Sequence, residues 1–134
     1  MSSGAKSYAA VIPWAPKATP PVTLLVGERE HRLRVLTPES VEYIEAQGNY
    51  VKLHANGADY ISRASLKHLA ITLADRGFLR IERSLIVNLR AIAYAQRAGQ
   101  STYVFSLHSG ASLRSGKRYR GEILRVIPLL QPPR

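Results

Sequence analysis

The chain has 134 residues, of which 46% are apolar and none is cysteine, and its formal net charge is +10. This length allows one hydrophobic core and excludes two ordinary domains. The lack of cysteine excludes a disulfide scaffold and a thiolate metal site. Neither a long apolar run nor a signal-peptide pattern is present, so the sequence predicts a soluble, cytosolic protein.

The charge is distributed unevenly along the chain. Residues 1–60 carry six basic and six acidic side chains, whereas residues 61–134 carry thirteen basic and three acidic ones. An excess confined to one half favours a polyanionic partner, either nucleic acid or an anionic membrane surface. A basic surface that only solubilises the protein explains the same charge, so this observation leaves both interpretations open.

The chain divides into a tail and one domain. Residues 1–21, MSSGAKSYAAVIPWAPKATPP, contain four prolines and no sustained periodicity. Such a segment is typical of a linker or tail, and its Trp14 is available to dock on the folded body. Residues 22–134 are predicted to form the domain.

Short strands dominate the predicted domain. VTLLV, HRLRVL and VEYIEA are the first of them, separated by polar turn segments. NYVKLHA and ADYISRA flank Asn56-Gly57, a pair typical of a two-residue hairpin turn in which both residues have positive φ. STYVFSLHSGASLRS indicates a second hairpin about Ser109-Gly110.

Two short helices complete the prediction. Ser65 is a suitable N-cap for a helix in which Leu66, Leu69 and Leu73 form an apolar stripe. Gly77 is placed to end that helix. GKRYRGEILRVI, which a proline follows, predicts a terminal helix. The predicted fold class is mostly β, with antiparallel sheets and two short helices.

The segment RGFLRIERSLIVNLRAI, residues 76–92, holds four arginines and one acid within a strand-like alternation of apolar and polar residues. Arg83 breaks that alternation. An unpaired guanidinium facing a core would be costly, so we predict a bend at Glu82-Arg83-Ser84 that projects Arg83 outward. Such a tip suits DNA, because arginine offers two parallel donors to guanine. An exposed loop with a local ion pair is the alternative interpretation.

Three blocks resemble the signature blocks of the LytTR DNA-binding domain family. They are VEYIEAQGNYVKLH (41–54), GFLRIERSLIVNLRAI (77–92) and LRSGKRYRGEIL (113–124), and the resemblance covers residues 22–130. It implies an elongated, mostly antiparallel β fold, found in bacterial transcription regulators that bind direct repeats in promoters. It also implies that loops at strand ends, rather than a recognition helix, enter successive major grooves of double-stranded DNA.

The resemblance and the side-chain chemistry together select the candidate site residues. The base-contact candidates are Asn49, Glu82, Arg83, Ser84, Lys117 and Arg118. The phosphate-contact candidates are Lys52, Arg63, Arg80, Arg90, Arg97, Arg114, Ser115 and Arg120. The basic members of this second set are equally well explained as plain surface charges. Asn49 also suits a turn, and Asn88 is assigned to buried backbone groups rather than to DNA.

Two features depart from the family pattern. Gly116-Lys117 stands where the family often has Ser-Arg before its last helix, so a helix cap and phosphate ligand are lost or moved to Ser115. The receiver domain that usually accompanies the family does not fit within residues 1–21. The chain is therefore expected to be a stand-alone regulator or a fragment of a longer one. A homodimer on paired half-sites and a regulatory protein partner are also expected.

No enzymatic chemistry is predicted. The four histidines are scattered, with no i, i+4 pair, and neither a nucleophile elbow nor a phosphate loop is present. No catalytic residue, metal or cofactor is therefore expected. RNA binding would call for exposed aromatic residues. Four tyrosines mostly fit apolar strand positions instead: Tyr43, Tyr50, Tyr60 and Tyr103. Besides RNA, an anionic membrane surface or a protein partner remains an alternative to DNA.

Overall fold

The structure is a computed structural model that describes residues 23–130, so the predicted tail with Trp14 lies outside the described residues. Over this range the chain forms two antiparallel sheets and two short α-helices, which confirms the predicted fold class. The seven-stranded sheet has the order β2-β1-β5-β4-β3-β7-β6, and its strands are β1 (Leu25–Arg29), β2 (Arg32–Leu36), β3 (Val41–Gln47), β4 (Tyr50–Ala55), β5 (Ala58–Ser62), β6 (Phe78–Glu82) and β7 (Leu85–Asn88). The three-stranded sheet has the order β10-β9-β8, and its strands are β8 (Ile92–Arg97), β9 (Tyr103–Leu107) and β10 (Ser112–Arg114). The helices are α1 (Leu66–Thr72) and α2 (Arg120–Val126).

Helix α1 covers one face of the seven-stranded sheet. Its predicted stripe is buried, with Leu66, Leu69 and Leu73 exposed by 7%, 4% and 0%. These side chains share a core with Ile44 of β3 and Leu53 of β4. Side chains at spacing three and four lie on one side of a helix, which is why the stripe meets the sheet as a unit.

The predicted N-cap of α1 is confirmed, but the predicted C-terminal end is not. The Oγ of Ser65 accepts a hydrogen bond from the backbone N–H of His68 at 3.0 Å, so Ser65 is the N-cap. Gly77 has a φ of +84°, but it ends a 3-10 turn over Ala74–Arg76 that follows α1. The helix therefore ends earlier than the sequence pattern indicated.

Both predicted hairpins are present. Asn56 and Gly57 connect β4 to β5 with φ values of +54° and +76°, as a two-residue turn with two left-handed residues requires. Ser109 and Gly110 lie in the turn between β9 and β10, where the N–H of Gly110 donates to the carbonyl of Leu107 at 2.9 Å.

The segment 76–92 folds as a hairpin that is buried on both faces. β6 and β7 are joined at Arg83 and Ser84, so the predicted bend is confirmed. The alternation of apolar and polar residues predicts a strand that is buried on one face only, and this prediction is wrong, because Ile86 and Val87 are both 0% exposed. Ile86 belongs to the core under α1, whereas Val87 belongs to a second core formed with the three-stranded sheet and α2. Neighbouring strand residues face opposite sides, and here both sides are covered.

Candidate nucleic-acid interface

Two hairpin turns lie side by side at one end of the seven-stranded sheet. The backbone N–H of Ala46 in β3 donates to the carbonyl oxygen of Ser84 at 2.9 Å, and Glu45 pairs with Leu85 of β7. β3 continues from Ala46 into the turn that contains Asn49. Asn49 and the β6–β7 turn therefore lie at the same end of the sheet.

The segment before α2 reaches this end as well. The N–H of Gly116 donates to the carbonyl oxygen of Ile81 at 2.8 Å. A Cβ atom placed on Gly116 would lie 3.4 Å from the Cγ of Glu82. Lys117 and Arg118 follow directly in a 3-10 turn, Lys117–Tyr119, and both are exposed. The sequence could not predict that Lys117 and Arg118 lie beside the β6–β7 turn, because the long-range Gly116–Ile81 hydrogen bond places them there.

Arg63, a further exposed cation, follows the last residue of β5. Val51 pairs with Ser62, so Arg63 lies beside Tyr50 and the turn at Asn49. Gly48, Asn49, Tyr50 and Arg63 line a shallow depression of about 260 Å³. We call the surface formed by Asn49, Arg63, Arg80, Arg83, Lys117 and Arg118 the turn end.

The β6–β7 turn is held by its own side chains. The carboxylate of Glu82 accepts from the Ser84 N–H at 2.9 Å and from the Ser84 hydroxyl at 2.6 Å. The Ser84 hydroxyl, and then its N–H, lower the pKa of Glu82, which is therefore charged at neutral pH. Arg80 donates to the carbonyl oxygen of Arg83 at 2.5 Å. Arg83 is the exposed member of the tripeptide, while Glu82 and Ser84 are half-buried and bonded to each other.

The remaining phosphate candidates are dispersed. Arg97 and Arg114 are exposed at the ends of β8 and β10, on the side of the small sheet where Ser115 leads to Gly116. Lys52 lies within β4, half-buried between Glu45 and Ile61. Arg120 is half-buried at the start of α2.

Arg90 lies away from the turn end. It follows Asn88, which is paired with Phe78 at the far end of β7. Four strand residues separate this end from the turn, which is about 13 Å at the usual rise per residue. Asn88 has the predicted structural role, since its Nδ2 donates to the carbonyl of Val41 at 2.8 Å and its Oδ1 accepts from the Arg90 N–H at 3.0 Å.

Ser115 occupies an interior position. It is 2% exposed, and its Oγ accepts from the backbone N–H of Tyr103 at 2.9 Å. Its hydroxyl neither caps the 3-10 turn nor faces solvent, because no side-chain cap is made there and the residue is buried. Ser115 is therefore too buried to make the phosphate contact that its sequence position predicted.

The sequence analysis did not predict one exposed aromatic residue beside the turn end. Tyr60 and Tyr103 are buried as predicted, at 8% and 1% exposure, but Tyr50 is 40% exposed beside Asn49. The alternation of residues in β4 could have predicted that Tyr50 is exposed. Tyr50 shares its face with Lys52 and His54, whereas the residues between them are buried.

Acidic groups gather at the opposite end of the sheet. Glu42, Asp59 and Ser109 line a cleft of about 220 Å³ near the β4–β5 turn. His54 lies between Asp59, 2.5 Å from its Nδ1, and Glu45, 3.3 Å from its Nε2. Its ring stacks on Tyr43 with centroids 4.0 Å apart. Burial, followed by the nearby carboxylates, raises the pKa of Tyr43. Glu42 and Asp59 thus lie near the β4–β5 turn, away from the turn end.

An antiparallel β domain with exposed cations on clustered turns is a candidate nucleic-acid-binding module. The sequence profile of the LytTr DNA-binding domain matches residues 31–127. The chain therefore belongs to the LytTR family and is a DNA-binding domain of the kind found in transcription regulators. This family is one of DNA-binding domains rather than enzymes.

A solved structure supports the fold. The chain is similar to the LytTr DNA-binding domain of a protein from Bacillus cereus described as a methyl-accepting/DNA response regulator, with a TM-score of 0.74 and 20% identity. The alignment covers 78% of this chain and 96% of that one. No curated protein sequence gave a match. Within residues 23–130, no helix is long and apolar enough to span a membrane, and no group of three or more potential metal ligands is present.

Proposed function

We propose that the turn end binds double-stranded DNA by inserting its loops into successive major grooves, and that the protein is thereby a sequence-specific regulator of transcription. The observation that carries the proposal is the meeting of three segments at one end, through the Ala46–Ser84 and Gly116–Ile81 backbone hydrogen bonds. These bonds tie the β6–β7 turn to β3 and the segment before α2 to β6, so the spacing between the loops is set before DNA arrives. Preorganised loops lose little conformational freedom on binding.

Each residue of the turn end has a role in this proposal. Arg83, on the β6–β7 turn, reads guanine with its two parallel donors, and Asn49 reads adenine with its amide. Lys117 and Arg118 enter the next groove from the start of the 3-10 turn. Arg63 and Arg80 neutralise phosphates beside these loops, and Arg97 and Arg114 extend this contact from the small sheet.

Glu82 and Ser84 act as positioning residues within this scheme. Their hydrogen-bonding groups are engaged with each other, so Arg83 is the member of the tripeptide that is free to reach a base. In this proposal two copies of the protein bind direct repeats in a promoter in the cytoplasm. A regulatory protein partner controls this binding.

The experiment is a selection of bound duplexes from a random pool, followed by competition. The protein is first equilibrated with the selected duplex at about 150 mM salt, where exposed charges are substantially screened. Random duplex, single-stranded RNA and anionic vesicles are then added at equal anion concentration. We expect the selected duplex to resist all three. Displacement by RNA or vesicles at parity would favour those partners and contradict the proposal, as would a pool that yields no repeat.

A further inference from the structure

The turn between β8 and β9 lies at the same end of the molecule as the turn end. Arg97 pairs with Tyr103 at the point where β8 leads into this turn and β9 leaves it. The carbonyl oxygen of Tyr103 accepts from the N–H of Ser115 at 2.9 Å, and the next residue, Gly116, donates to the carbonyl oxygen of Ile81 at 2.8 Å. Two successive backbone hydrogen bonds therefore connect the base of the β8–β9 turn to β6, which leads into the β6–β7 turn.

The other end of the three-stranded sheet is anchored at the start of β3. There the hydroxyl of Ser109, in the β9–β10 turn, donates to the carboxylate of Glu42 at 2.8 Å. Ala46, near the end of β3, bonds instead to the β6–β7 turn. The β9–β10 turn and the β8–β9 turn therefore lie near opposite ends of β3, and the β8–β9 turn is the one beside the turn end.

The β8–β9 turn presents an uncharged polar tip. The N–H of Ala98 donates to the carbonyl oxygen of Thr102 at 2.9 Å, which leaves residues 99–101, Gly-Gln-Ser, as the tip. Gln100 is exposed, and its amide has no hydrogen-bond partner among residues 23–130. This amide is therefore available to a ligand that approaches the turn end.

Basic side chains flank the turn without balancing acids. Arg97 at the end of β8 and Arg114 at the end of β10 lie on either side of the first residues of β9, and both are exposed. Within the described part of the chain neither guanidinium has an ion-pair partner. Residues 83–121 contain seven Lys or Arg side chains and no Asp or Glu. A surface of this composition attracts a polyanion.

We propose that the β8–β9 turn is a further DNA contact, in which the Gln100 amide donates to a phosphate next to those that Arg97 and Arg114 neutralise. The inference rests on the proposed function, because it adds to the same interface a turn that had no assigned role. Phosphate rather than a base is the ligand, since Gly99 and Ser101 give the tip a short reach and amide donors commonly bind phosphate oxygens. The contact lengthens the DNA segment that one copy covers and adds affinity without sequence choice.

Ethylation interference on the selected duplex tests the contact, because it identifies the phosphates that binding requires. We expect Gln100→Ala to lose interference at a group of phosphates that Arg83→Ala retains. Its affinity should fall by about fivefold for the selected and the random duplex alike. Gln100→Glu should weaken both by about tenfold or more, because a carboxylate at this position repels phosphate.

His108→Glu is the matched control. His108 is exposed in the β9–β10 turn, so the variant adds the same charge at the opposite end of the same sheet. It should leave the affinity and the interference pattern unchanged. Gln100 is also exposed, so the circular dichroism of all these variants should remain that of the wild type.

The outcomes separate this inference from the proposed function. A wild-type protein that selects no duplex would overturn the proposed function and this inference with it. A wild type that selects a duplex, with an unchanged interference pattern in Gln100→Ala, would overturn this inference alone. So would equal losses of affinity in Gln100→Glu and His108→Glu, which would report net charge only. Relaxed sequence choice in Gln100→Ala would make Gln100 a base contact and would overturn the phosphate assignment.

Discussion

The carboxylate of Glu82 and the backbone and hydroxyl of Ser84 are joined by two hydrogen bonds of 2.9 and 2.6 Å, which close the β6–β7 turn. Arg83 stands between them and is exposed. This arrangement gives an acidic side chain a supporting role on a basic surface. Simple electrostatics predicts that removal of this acid strengthens DNA binding. A supporting role for Glu82 predicts instead that its removal weakens binding to the preferred duplex.

Replacement of Glu82 separates positioning from charge. Glu82→Ala and Glu82→Gln both remove the negative charge, but only glutamine retains an oxygen that accepts from Ser84. We expect the alanine variant to bind the preferred duplex more weakly than the glutamine variant, by about 1 kcal/mol or fivefold. Both should bind random DNA at least as well as the wild type. Equal affinities of the two variants for the preferred duplex, measured by fluorescence anisotropy, would argue against a positioning role.

Arg83 and Arg90 form a matched pair of exposed arginines at opposite ends of β7. We expect Arg83→Ala to cost about 1 to 3 kcal/mol on the preferred duplex and to relax sequence choice. Arg90→Ala removes the same charge and should change affinity little. Titrations of both variants with preferred and random duplexes provide the measurement. If Arg83→Ala weakened the two duplexes equally, Arg83 would be a phosphate contact.

Salt dependence reports the number of phosphate contacts. About six contacts predict a loss of roughly three orders of magnitude in affinity between about 50 and 200 mM salt. Arg63→Ala should make the slope of log affinity against log salt less steep by about one, whereas Arg90→Ala should leave it unchanged. Titrations at four or more salt concentrations give these slopes. An unaltered slope in Arg63→Ala would remove Arg63 from the interface.

Two glycines offer opposite stability predictions for the same substitution. An added Cβ at Gly27 would come 2.6 Å from the Tyr60 Cβ in the core, so Gly27→Ala should destabilise the protein by about 1 to 3 kcal/mol. Gly121 lies within α2 with no atom within 4 Å of an added Cβ, so Gly121→Ala should stabilise it by about 0.5 to 1 kcal/mol. Urea unfolding measures both. Similar midpoints for the two variants would contradict the close packing of β1 on β5.

The pKa of Glu82 predicts a dependence of stability on pH. Because the Ser84 hydroxyl and N–H lower this pKa in the folded state, the folded protein binds the proton less readily than the unfolded chain. The stabilisation is therefore complete above the unfolded pKa and is lost as the pH falls through the folded pKa. The difference in unfolding free energy between wild type and Glu82→Ala should be largest near neutrality and shrink in acid. A constant difference from pH 7 to strongly acidic conditions would show that Ser84 does not discriminate between the charged and neutral carboxyl.

Much of the local structure was predictable because its causes are local. The Asn56-Gly57 turn, the Ser65 cap and the leucine stripe of α1 depend on backbone φ preferences and on side-chain spacing within a few residues. The bend at Arg83 was predictable for a similar reason, since a charged residue interrupted an apolar alternation. The family motifs added the fold and the class of ligand.

Contacts between distant parts of the chain decided the rest. The sequence by itself determined the hairpins, the capped helix, the basic second half and the membership of a DNA-binding family. Only the tertiary structure decided that Ser115 is buried against Tyr103, that Arg90 lies away from Arg83, and that Gly116 brings Lys117 beside the β6–β7 turn. These outcomes depend on strand order and register, which arise from packing two sheets and two helices around two cores. That packing joins residues far apart in sequence, and no local pattern encodes it.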